Sequence, residues 1–478
     1  MKIKEQIPYW LITIGTIIAL ILPRLAKDGM FTDGVLYAAV AHNLAIGKGT
    51  IWFPYFDNFM FPFFHQQPPL TFIIQSYFFE NYGDSMYVER VYSFATACIS
   101  AGLIAWLWML INKDDPENKK MAWLPVLMWI IIPVCFWAYS NNMEENTMGV
   151  FTLLAVVLIY KGLMSGNWFK VAYIIVGSAI TMLAFLCKGF PGLFPIVIPA
   201  LYYIIIRPAH YPAFRAIVFS LLAIAVPFVI FNIIMVHNYI NRSLTSYLNE
   251  RVLNSIQHVS NVNSRFYLIG NLLFVQLIVP VALTAIILAL SGKAAFRFKE
   301  LNNEYKKKIL LFLLIGVCAS FPLIVTKEQR NFYLATSLPY YAIALALLTC
   351  RRLNVLLLKI KPNIVKIVLA ASALYIVIGL LYSYMSMGKI GRDKEQLHDV
   401  YAFGKIIHND ADVKVYRETW QDWGLHNYFV RYFCISLAMD TSNKYDYFLL
   451  EKSLNRPPPP VYNKLVAQGE KYDLYKKE

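Results

Sequence analysis

The sequence has few charged residues, few cysteines and no nucleotide-binding loop. Charged residues make up 15% of its 478 positions, whereas hydrophobic residues make up 58%. A soluble domain of this size needs more polar surface, so the composition excludes the soluble globular class. The six cysteines show neither a disulfide framework nor the spacing of a metal site. Neither kind of cross-link is therefore predicted.

The first apolar segment lacks the small-residue cleavage site of a signal peptide. Pro23 and Arg24 follow it directly, so we expect a retained membrane helix. Similar apolar runs recur along the chain, and a bilayer core takes about 20 mainly apolar residues per helix. We therefore predict an all-α polytopic membrane protein with about eleven spans. Their centres lie near residues 16, 101, 130, 155, 178, 198, 225, 280, 317, 341 and 376.

Lysine and arginine are distributed unevenly between the two alternating sets of loops. One set holds most of them, including Lys2, Lys4, residues 306–308 and the pair Arg351 and Arg352. Cytoplasmic loops are enriched in these residues, so this set and the N-terminus are predicted to be cytoplasmic. The bias explains the net charge of +15 without a nucleic-acid partner. We expect a protein of the cytoplasmic (inner) membrane whose chemically interesting residues face outwards.

Three predicted external segments are too long to be turns: residues 24–90, residues 237–266 and the tail after Met387. The first is rich in aromatic residues and has helical spacing near its start, which predicts amphipathic helices on the outer surface. The tail is polar and contains short β-prone runs. The domain prediction is therefore a transmembrane domain over residues 1–386 and a small soluble α/β domain outside the cytoplasm over residues 387–478.

Within the tail, the pattern predicts a helix over Asp393–Ile407 and strands over Val413–Tyr416 and Tyr445–Leu450. Asp410 and Asp412 form a D-x-D sequence, a pattern that binds metal and nucleotide in some glycosyltransferases. No βαβ unit precedes it here, so a turn is the favoured interpretation.

Acidic and basic residues recur at one predicted membrane depth, on the outer face. Taken singly, the acid after the first span, or the threonine before it, could cap a surface helix, and each base could be an interfacial charge. Charges near a bilayer are costly and mark function by default, and two acidic sites with two basic sites favour a shared outer site. These residues are Asp33, Glu144, Glu145, Lys188, Lys327 and Arg330.

This set suits group transfer from a lipid-phosphate donor. Lysine and arginine stabilise the phosphate oxyanion that leaves as the sugar–oxygen bond breaks. A carboxylate can deprotonate the acceptor hydroxyl as a general base. The external position of the acids disfavours a nucleotide sugar, which is a cytoplasmic donor. His65 and His258 are exposed candidates for a metal or phosphate contact, although interfacial hydrogen bonding explains each equally well.

The chain resembles the membrane glycosyltransferases of the C superfamily (GT-C), in particular the branch with aminoarabinose transferase and the protein O-mannosyltransferases. The resemblance covers residues 1–385 and rests on short motifs in a fixed order on one face. The motifs are Asp33 with Tyr37, Pro68-Pro69-Leu70, Glu145 with Asn146, Lys188-Gly189-Phe190 with Pro195, and Lys327 with Arg330, Tyr333 and Leu338-Pro339.

The resemblance implies an inverting transfer from a polyprenyl-phosphate-sugar to a lipid, glycan or protein acceptor on the outer face of the membrane. It implies that Asp33 is the general base or positions it. Glu145 would be a second acid, with Glu144 as the weaker choice. The donor and its phosphate would be held by Tyr37, Lys188, Arg251, Arg265, Lys327, Arg330 and Tyr333. No cofactor is required on this account.

The sequence departs from the family pattern at two places. Gly34 replaces an acid often found after the first one, and Gln66 and Gln67 precede the proline pair where aminoarabinose transferase has an acid and a lysine. The motif therefore predicts neither a phosphate contact nor a metal ligand at this point. His65 could substitute and pair with His258 around a divalent metal ion.

Two other functions use the same kind of ligand. A lipid-glycan transporter or flippase would have polar residues near mid-membrane and often an inverted repeat, and neither is visible here. An O-antigen-ligase-like enzyme releases a pyrophosphate and has a large late external loop, whereas the largest loop here comes first.

Overall fold

A computed structural model of the chain describes residues 6–165, 169–208, 211–292, 303–440, 442 and 444–478. Lys2 and Lys4, which entered the topology prediction, lie outside the described residues. The described chain is mainly helical and ends in a small β-sheet.

The helices of the first two-thirds of the chain are mostly apolar. They are α1 (Ile7–Leu25), α2 (Thr32–Ala45), α3 (Leu70–Tyr82), α4 (Tyr87–Ile111), α5 (Pro116–Lys119), α6 (Trp123–Ile130), α7 (Pro133–Tyr139), α8 (Glu144–Met164), α9 (Phe169–Lys188), α10 (Ile198–Ile206), α11 (Ala213–Met235), α12 (Asn238–Ser246), α13 (Asn254–Gln257), α14 (Tyr267–Asn271) and α15 (Ile278–Leu290).

The later helices are α16 (Asn303–Ser320), α17 (Leu338–Leu358), α18 (Pro362–Ser386), α19 (Lys394–Gly404), α20 (Arg417–Trp420) and α21 (Trp423–Phe433). Short 3₁₀ segments cover Phe190–Val197, Phe321–Val325, Asn331–Thr336 and Lys452–Leu454. Two π-helical turns cover Tyr247–Leu253 and Leu272–Gln276.

Eight helices in the described part of the chain are long and apolar enough to cross a membrane: α1, α4, α8, α9, α11, α16, α17 and α18. A ninth span would be the pair Tyr267–Gln276 and Ile278–Leu290, which is bent by 43°. The remaining two predicted centres, near residues 130 and 198, fall on shorter pieces. Prolines explain both breaks, since Pro133 starts α7 and three prolines interrupt Phe190–Ile206. The polytopic all-α prediction is confirmed, and its span count is approximate.

The described chain divides into two compact units. The first contains residues up to Pro23, Gln66–Pro68 and Ser93–Met385. The second contains Arg24–His65, Pro69–Tyr92 and Ser386–Glu478. Most of the first external segment therefore belongs to the same unit as the tail. The division into a transmembrane domain over residues 1–386 and a soluble domain over residues 387–478 stays a prediction.

In the first unit, α8 and α9 form an antiparallel hairpin that is packed closely along its length. A Cβ atom at Gly177 of α9 would lie 2.8 Å from Ile159 of α8, so the helices approach where the side chain is missing. Because α8 begins at Glu144 and α9 ends at Lys188, the hairpin brings these two residues to the same end of the bundle.

The second unit contains a five-stranded sheet with strand order β2-β1-β3-β5-β4. The strands are β1 (Asp412–Val415), β2 (Ser436–Ala438), β3 (Tyr447–Glu451), β4 (Lys464–Gln468) and β5 (Tyr472–Lys476). β1 pairs in parallel with β2 and β3, while β5 pairs antiparallel with β3 and β4. The prediction that the tail combines helices with short strands is confirmed. Asp410 lies in a turn with φ of +66° directly before β1, as the turn interpretation requires.

The core of the second unit includes residues from both of its sequence regions. Met30 and Val35 are buried with Leu397, Tyr428 and Leu449 of the tail, among others. The predicted helix near residue 33 forms as α2, and all of its residues from Gly34 to Asn43 are buried. α2 is therefore enclosed on every side along its middle.

Candidate active site

The first unit contains a cavity of about 540 Å³ beside the end of the α8–α9 hairpin. The π-helical turn Tyr247–Leu253 and the 3₁₀ segment Phe321–Val325 form its other walls. Nine of its 18 lining residues are apolar and four are charged. Those four are Glu145, Lys188, Arg251 and Glu328, and the polar or aromatic members include Gln67, Tyr247 and Tyr333.

Lys188 is the central cation of this cavity. Its Nζ lies 2.9 Å from Oε1 of Glu145 and 3.4 Å from Oε2 of Glu144. The side chain of Lys188 is 8% exposed and both glutamates are fully buried. A lysine ammonium has three donors in a flexible arrangement, so it can bind carboxylates and a further oxygen together.

The backbone after Lys188 is fixed by close contact with Tyr247. Gly189 has φ of +81°, and a Cβ atom there would lie 2.0 Å from the Tyr247 hydroxyl. The hydroxyl donates a hydrogen bond of 3.5 Å to the Lys188 carbonyl. Only glycine fits this position, because both the left-handed backbone and the missing side chain are needed.

Arg251 is the second cation of the cavity and is paired with Glu328, at 2.6 Å between Nη2 and Oε1. The two residues come from segments that are hydrogen-bonded to each other. The Ser255 and Thr326 hydroxyls lie 3.0 Å apart, and Gln329 N donates to Asn261 Oδ1 at 2.8 Å. These hydrogen bonds fix the distance between the segment that carries Arg251 and the segment that carries Glu328.

Tyr333 adds an aromatic face and a hydroxyl to the cavity. Its ring centroid lies 5.5 Å from Nζ of Lys188, within range of a cation–π interaction. Burial raises the pKa of Tyr333 to about 12, and burial also raises the pKa of Tyr247. Both hydroxyls therefore stay protonated near neutral pH. Tyr247 donates its proton to the Lys188 carbonyl, and the Tyr333 hydroxyl can donate to an anionic or sugar oxygen.

The cavity combines an apolar wall with two cations, each of which is already paired with carboxylates. The apolar wall suits a hydrocarbon chain, and the two cations suit a phosphate whose negative charge is partly desolvated. Carboxylates beside the cations can accept hydrogen bonds from sugar hydroxyls. The arrangement is chemically suited to an amphipathic phosphate ester.

The structure brings together four of the predicted site residues: Glu145, Lys188, Arg251 and Tyr333 all line the cavity. The predicted cations Arg265, Lys327 and Arg330 belong to the same unit but are exposed and do not line it. The Lys327 carbonyl accepts a backbone hydrogen bond from Asn261. Lys327 lies between Thr326 and Glu328, which do line the cavity.

Asp33 and Tyr37 belong to the second unit, on α2. The helix begins at Thr32 with Phe31 at the N-cap position, so Asp33 lies in the first turn and is not itself the cap. Its side chain is half-buried. Tyr37 is buried with its ring 6.1 Å from that of Phe72, and therefore it packs inside this unit.

The two predicted metal ligands also belong to different units. His65 was expected to be exposed, but it is buried with its ring centroid 5.2 Å from that of Phe53. His258 is exposed in the first unit. The described residues include no group of three or more His, Cys, Asp or Glu side chains arranged to hold a metal ion.

Tyr247, Glu328 and Gln67 line the cavity but were not predicted as site residues. Glu328 lies in the same polar stretch as Lys327, so its charge was visible, although its partner was not. Tyr247 is one of 32 tyrosines and has no distinguishing sequence signal. Gln67 precedes the proline pair and was considered only as a departure from a family motif.

No protein-family model matches the chain, and no curated protein sequence matches it. Solved structures with a similar fold were found nevertheless. ArnT from Cupriavidus metallidurans bound to undecaprenyl phosphate aligns with a TM-score of 0.68 and 11% identity, over 97% of both chains.

Two structures from Archaeoglobus fulgidus align less closely. Its oligosaccharyltransferase in the apo form has a TM-score of 0.52 and 11% identity, over 93% of this chain and 69% of the other. AglB in complex with an inhibitory peptide and a dolichol-phosphate has a TM-score of 0.50 and 13% identity, over 95% of this chain and 70% of the other. At these identities the similarity concerns the fold. The chain therefore shares the overall fold of these solved structures.

Proposed function

We propose that the protein is a glycosyltransferase that moves a sugar from a polyprenyl-phosphate-linked donor to an acceptor on the outer face of the cytoplasmic membrane. The observation that carries the proposal is the placement of Lys188 and Arg251 in a largely apolar cavity, each beside a carboxylate. A lipid-linked phosphate needs both features at once. The neighbouring fold supports the same donor class, since ArnT was crystallised with undecaprenyl phosphate.

In the proposed reaction the bond between the anomeric carbon and the phosphate oxygen breaks, and the phosphate leaves with the electron pair. Lys188 and Arg251 stabilise the developing negative charge on the leaving phosphate. The acceptor hydroxyl attacks the opposite face of the sugar, which inverts its configuration. Asp33 takes the proton of that hydroxyl as the general base. Glu145 holds Lys188 in place and accepts hydrogen bonds from the donor sugar.

The acceptor is a lipid, a glycan or a protein, and the transferred group is a hexose or a pentose. Residues 1–386 would form the transmembrane catalytic domain, and residues 387–478 an extracytoplasmic domain. The proposed reaction requires no cofactor. Arg265, Lys327 and Arg330 are exposed and would contact the donor, whereas the buried Tyr37 would only support the helix that carries Asp33.

A comparison of cell envelopes tests the proposal. Lipids, glycans and proteins from a strain that lacks the gene would be compared by mass spectrometry with those from strains complemented by wild type or Asp33→Asn. We expect one class of molecule to lose the mass of one sugar in the deletion strain and in the Asp33→Asn strain. Identical envelopes in all the strains would overturn the proposal.

A further inference from the structure

The linker that precedes Asp33 is held by the C-terminal tail at almost every residue. This linker, Asp28–Thr32, joins α1 to α2. Asp28 N donates to the Lys389 carbonyl at 2.8 Å, and Gly391 N donates to the Asp28 carbonyl at 2.8 Å. The pairing forms a short parallel bridge between Asp28 and Ile390.

The side chain of Asp28 accepts hydrogen bonds from two tyrosines of the tail and from an arginine of α4. Its Oδ1 accepts from the Tyr432 hydroxyl at 3.0 Å and from Nη2 of Arg90 at 3.2 Å, while its Oδ2 accepts from the Tyr401 hydroxyl at 2.5 Å. Asp28 is buried, and a buried carboxylate is stable only when its oxygens are satisfied in this way. The start of the linker is therefore fixed in position.

Helix α21 of the tail holds the other end of the linker. Nδ2 of Asn427 donates to the Thr32 carbonyl at 2.9 Å. The Tyr428 hydroxyl lies 2.9 Å from Oδ2 of Asp393 and accepts from Met30 N at 3.4 Å. Burial and the Asp393 carboxylate raise the pKa of Tyr428, so the hydroxyl keeps its proton and donates it to that carboxylate. Thr32 is the residue directly before Asp33.

These contacts act on the backbone, so they determine where α2 begins and in which direction its first turn points. The Thr32 carbonyl belongs to the peptide unit whose nitrogen is that of Asp33. Moving this unit moves the Asp33 carboxylate, and a misplacement of 1 Å at a reacting group can cost about a hundredfold in rate. Asn427 and Tyr428 can therefore influence the position of the Asp33 carboxylate without touching it.

We propose that Asn427 and Tyr428 are positioning residues that hold Asp33 through the backbone of Thr32 and Met30. The tail thereby becomes part of the catalytic apparatus without touching the reacting atoms. This inference rests on the proposed role of Asp33 as general base. It gives α21 a specific task in addition to its part in the core of the second unit.

Kinetics of the full-length protein in lipid nanodiscs, with a polyprenyl-phosphate-sugar donor and envelope extract as acceptor, tests the inference. Tyr428→Phe and Asn427→Ala should each lower kcat about tenfold, with the donor KM unchanged. Tyr462→Phe is the matched control. Its hydroxyl is also buried in the tail and donates to a backbone carbonyl, at 3.1 Å to Tyr445, but it does not contact the linker.

A double-mutant cycle separates positioning from loss of stability. If Tyr428 acts through Asp33, then Asp33→Asn and the double variant Asp33→Asn with Tyr428→Phe should have the same residual rate. Multiplied losses in the double variant, or equal losses in Tyr428→Phe and Tyr462→Phe, would overturn the inference. Asn427→Ala decides the question by the same criteria if Tyr428→Phe does not yield folded protein.

The same experiment keeps this inference distinct from the proposed function. Full activity of Asp33→Asn would remove Asp33 as the base, and the inference would fall with it. An inactive Asp33→Asn together with an unaffected Tyr428→Phe would leave the function standing and refute only the role of the tail.

Discussion

The ammonium of Lys188 lies 2.9 Å from a carboxylate oxygen of Glu145, and both side chains are almost fully removed from solvent. Glu145 lies at the start of α8 and Lys188 at the end of α9, the two helices of one hairpin. Glu144 adds a second carboxylate, at 3.4 Å from the ammonium. The cation of the cavity is thus held by its neighbours before any ligand arrives.

Replacement of Lys188 by alanine should therefore have two separable effects. Loss of the cation leaves two buried carboxylates uncompensated, which costs about 3–5 kcal/mol of stability for a buried pair. It would also remove the contact to the donor phosphate that we propose for Lys188. We expect Lys188→Ala to lower the thermal unfolding midpoint and to weaken donor binding.

The triple variant Lys188→Ala, Glu144→Gln, Glu145→Gln separates the two effects. It should recover most of the lost unfolding temperature, because the buried charges are gone, but it should not recover donor binding. Recovery of binding together with stability would show that Lys188 has only a structural role.

Substitutions of Arg251 and Glu328 should change donor binding in opposite directions. Arg251→Ala should weaken donor binding about tenfold or more, since a hydrogen bond to a charged group contributes about 1.5–3 kcal/mol. Glu328→Gln should strengthen binding, because it removes a negative charge that competes with the phosphate for Arg251. Donor titration by fluorescence or calorimetry checks both. The same direction of change in both variants would contradict a phosphate contact at Arg251.

Gly189→Ala should damage the cavity, because the new methyl group would meet the Tyr247 hydroxyl and the backbone there is left-handed. We expect a clear loss of donor binding and of unfolding temperature. Gly270→Ala is the control, since a Cβ atom there meets nothing within 4 Å. Equal behaviour of the two variants would contradict the close contact between Gly189 and Tyr247.

A similar comparison of two glycine substitutions is possible in the second unit, with Gly29 in the linker before Asp33 and Gly47 outside it. Gly29 has φ of +80°, and a Cβ atom there would lie 2.4 Å from the Arg392 carbonyl oxygen. Gly47 has the same φ with no atom within 4 Å, so it carries the backbone strain without the clash. Gly29→Ala should reduce sugar transfer far more than Gly47→Ala, as measured in membranes with matched protein levels. Similar activities would show that the linker tolerates displacement from the tail.

The sequence predicted the site best where charges interrupt apolar spans. Glu145 and Lys188 stand out because each ends a long apolar helix, and positive-inside counting assigned both to one face. The pairing of Arg251 with Glu328 could not be predicted, since they are 77 positions apart and lie in irregular segments without periodicity. Arg265, Lys327 and Arg330 had the same local appearance as Arg251. Only the fold distinguishes the cation that lines the cavity from those that remain exposed.

The fold was predictable in outline for a related reason. Apolar length and turn residues are local signals, so the spans and the α/β tail could be recognised. The grouping of Asp28 and Met30 with the tail depends on contacts such as that between Asp28 and Tyr401, 373 positions apart. No local pattern encodes such a contact. Prolines explain why the centres near 130 and 198 are short pieces rather than full spans.

The most direct test of the account is the fate of the donor in a reconstituted system. Purified protein in liposomes would receive a polyprenyl-phosphate-sugar labelled in the sugar, with envelope extract from the deletion strain as acceptor. The account predicts that wild type releases one polyprenyl phosphate for each sugar transferred, and that Asp33→Asn lowers the rate at least about a hundredfold. Movement of intact donor across the bilayer without cleavage, or full activity of Asp33→Asn, would contradict it.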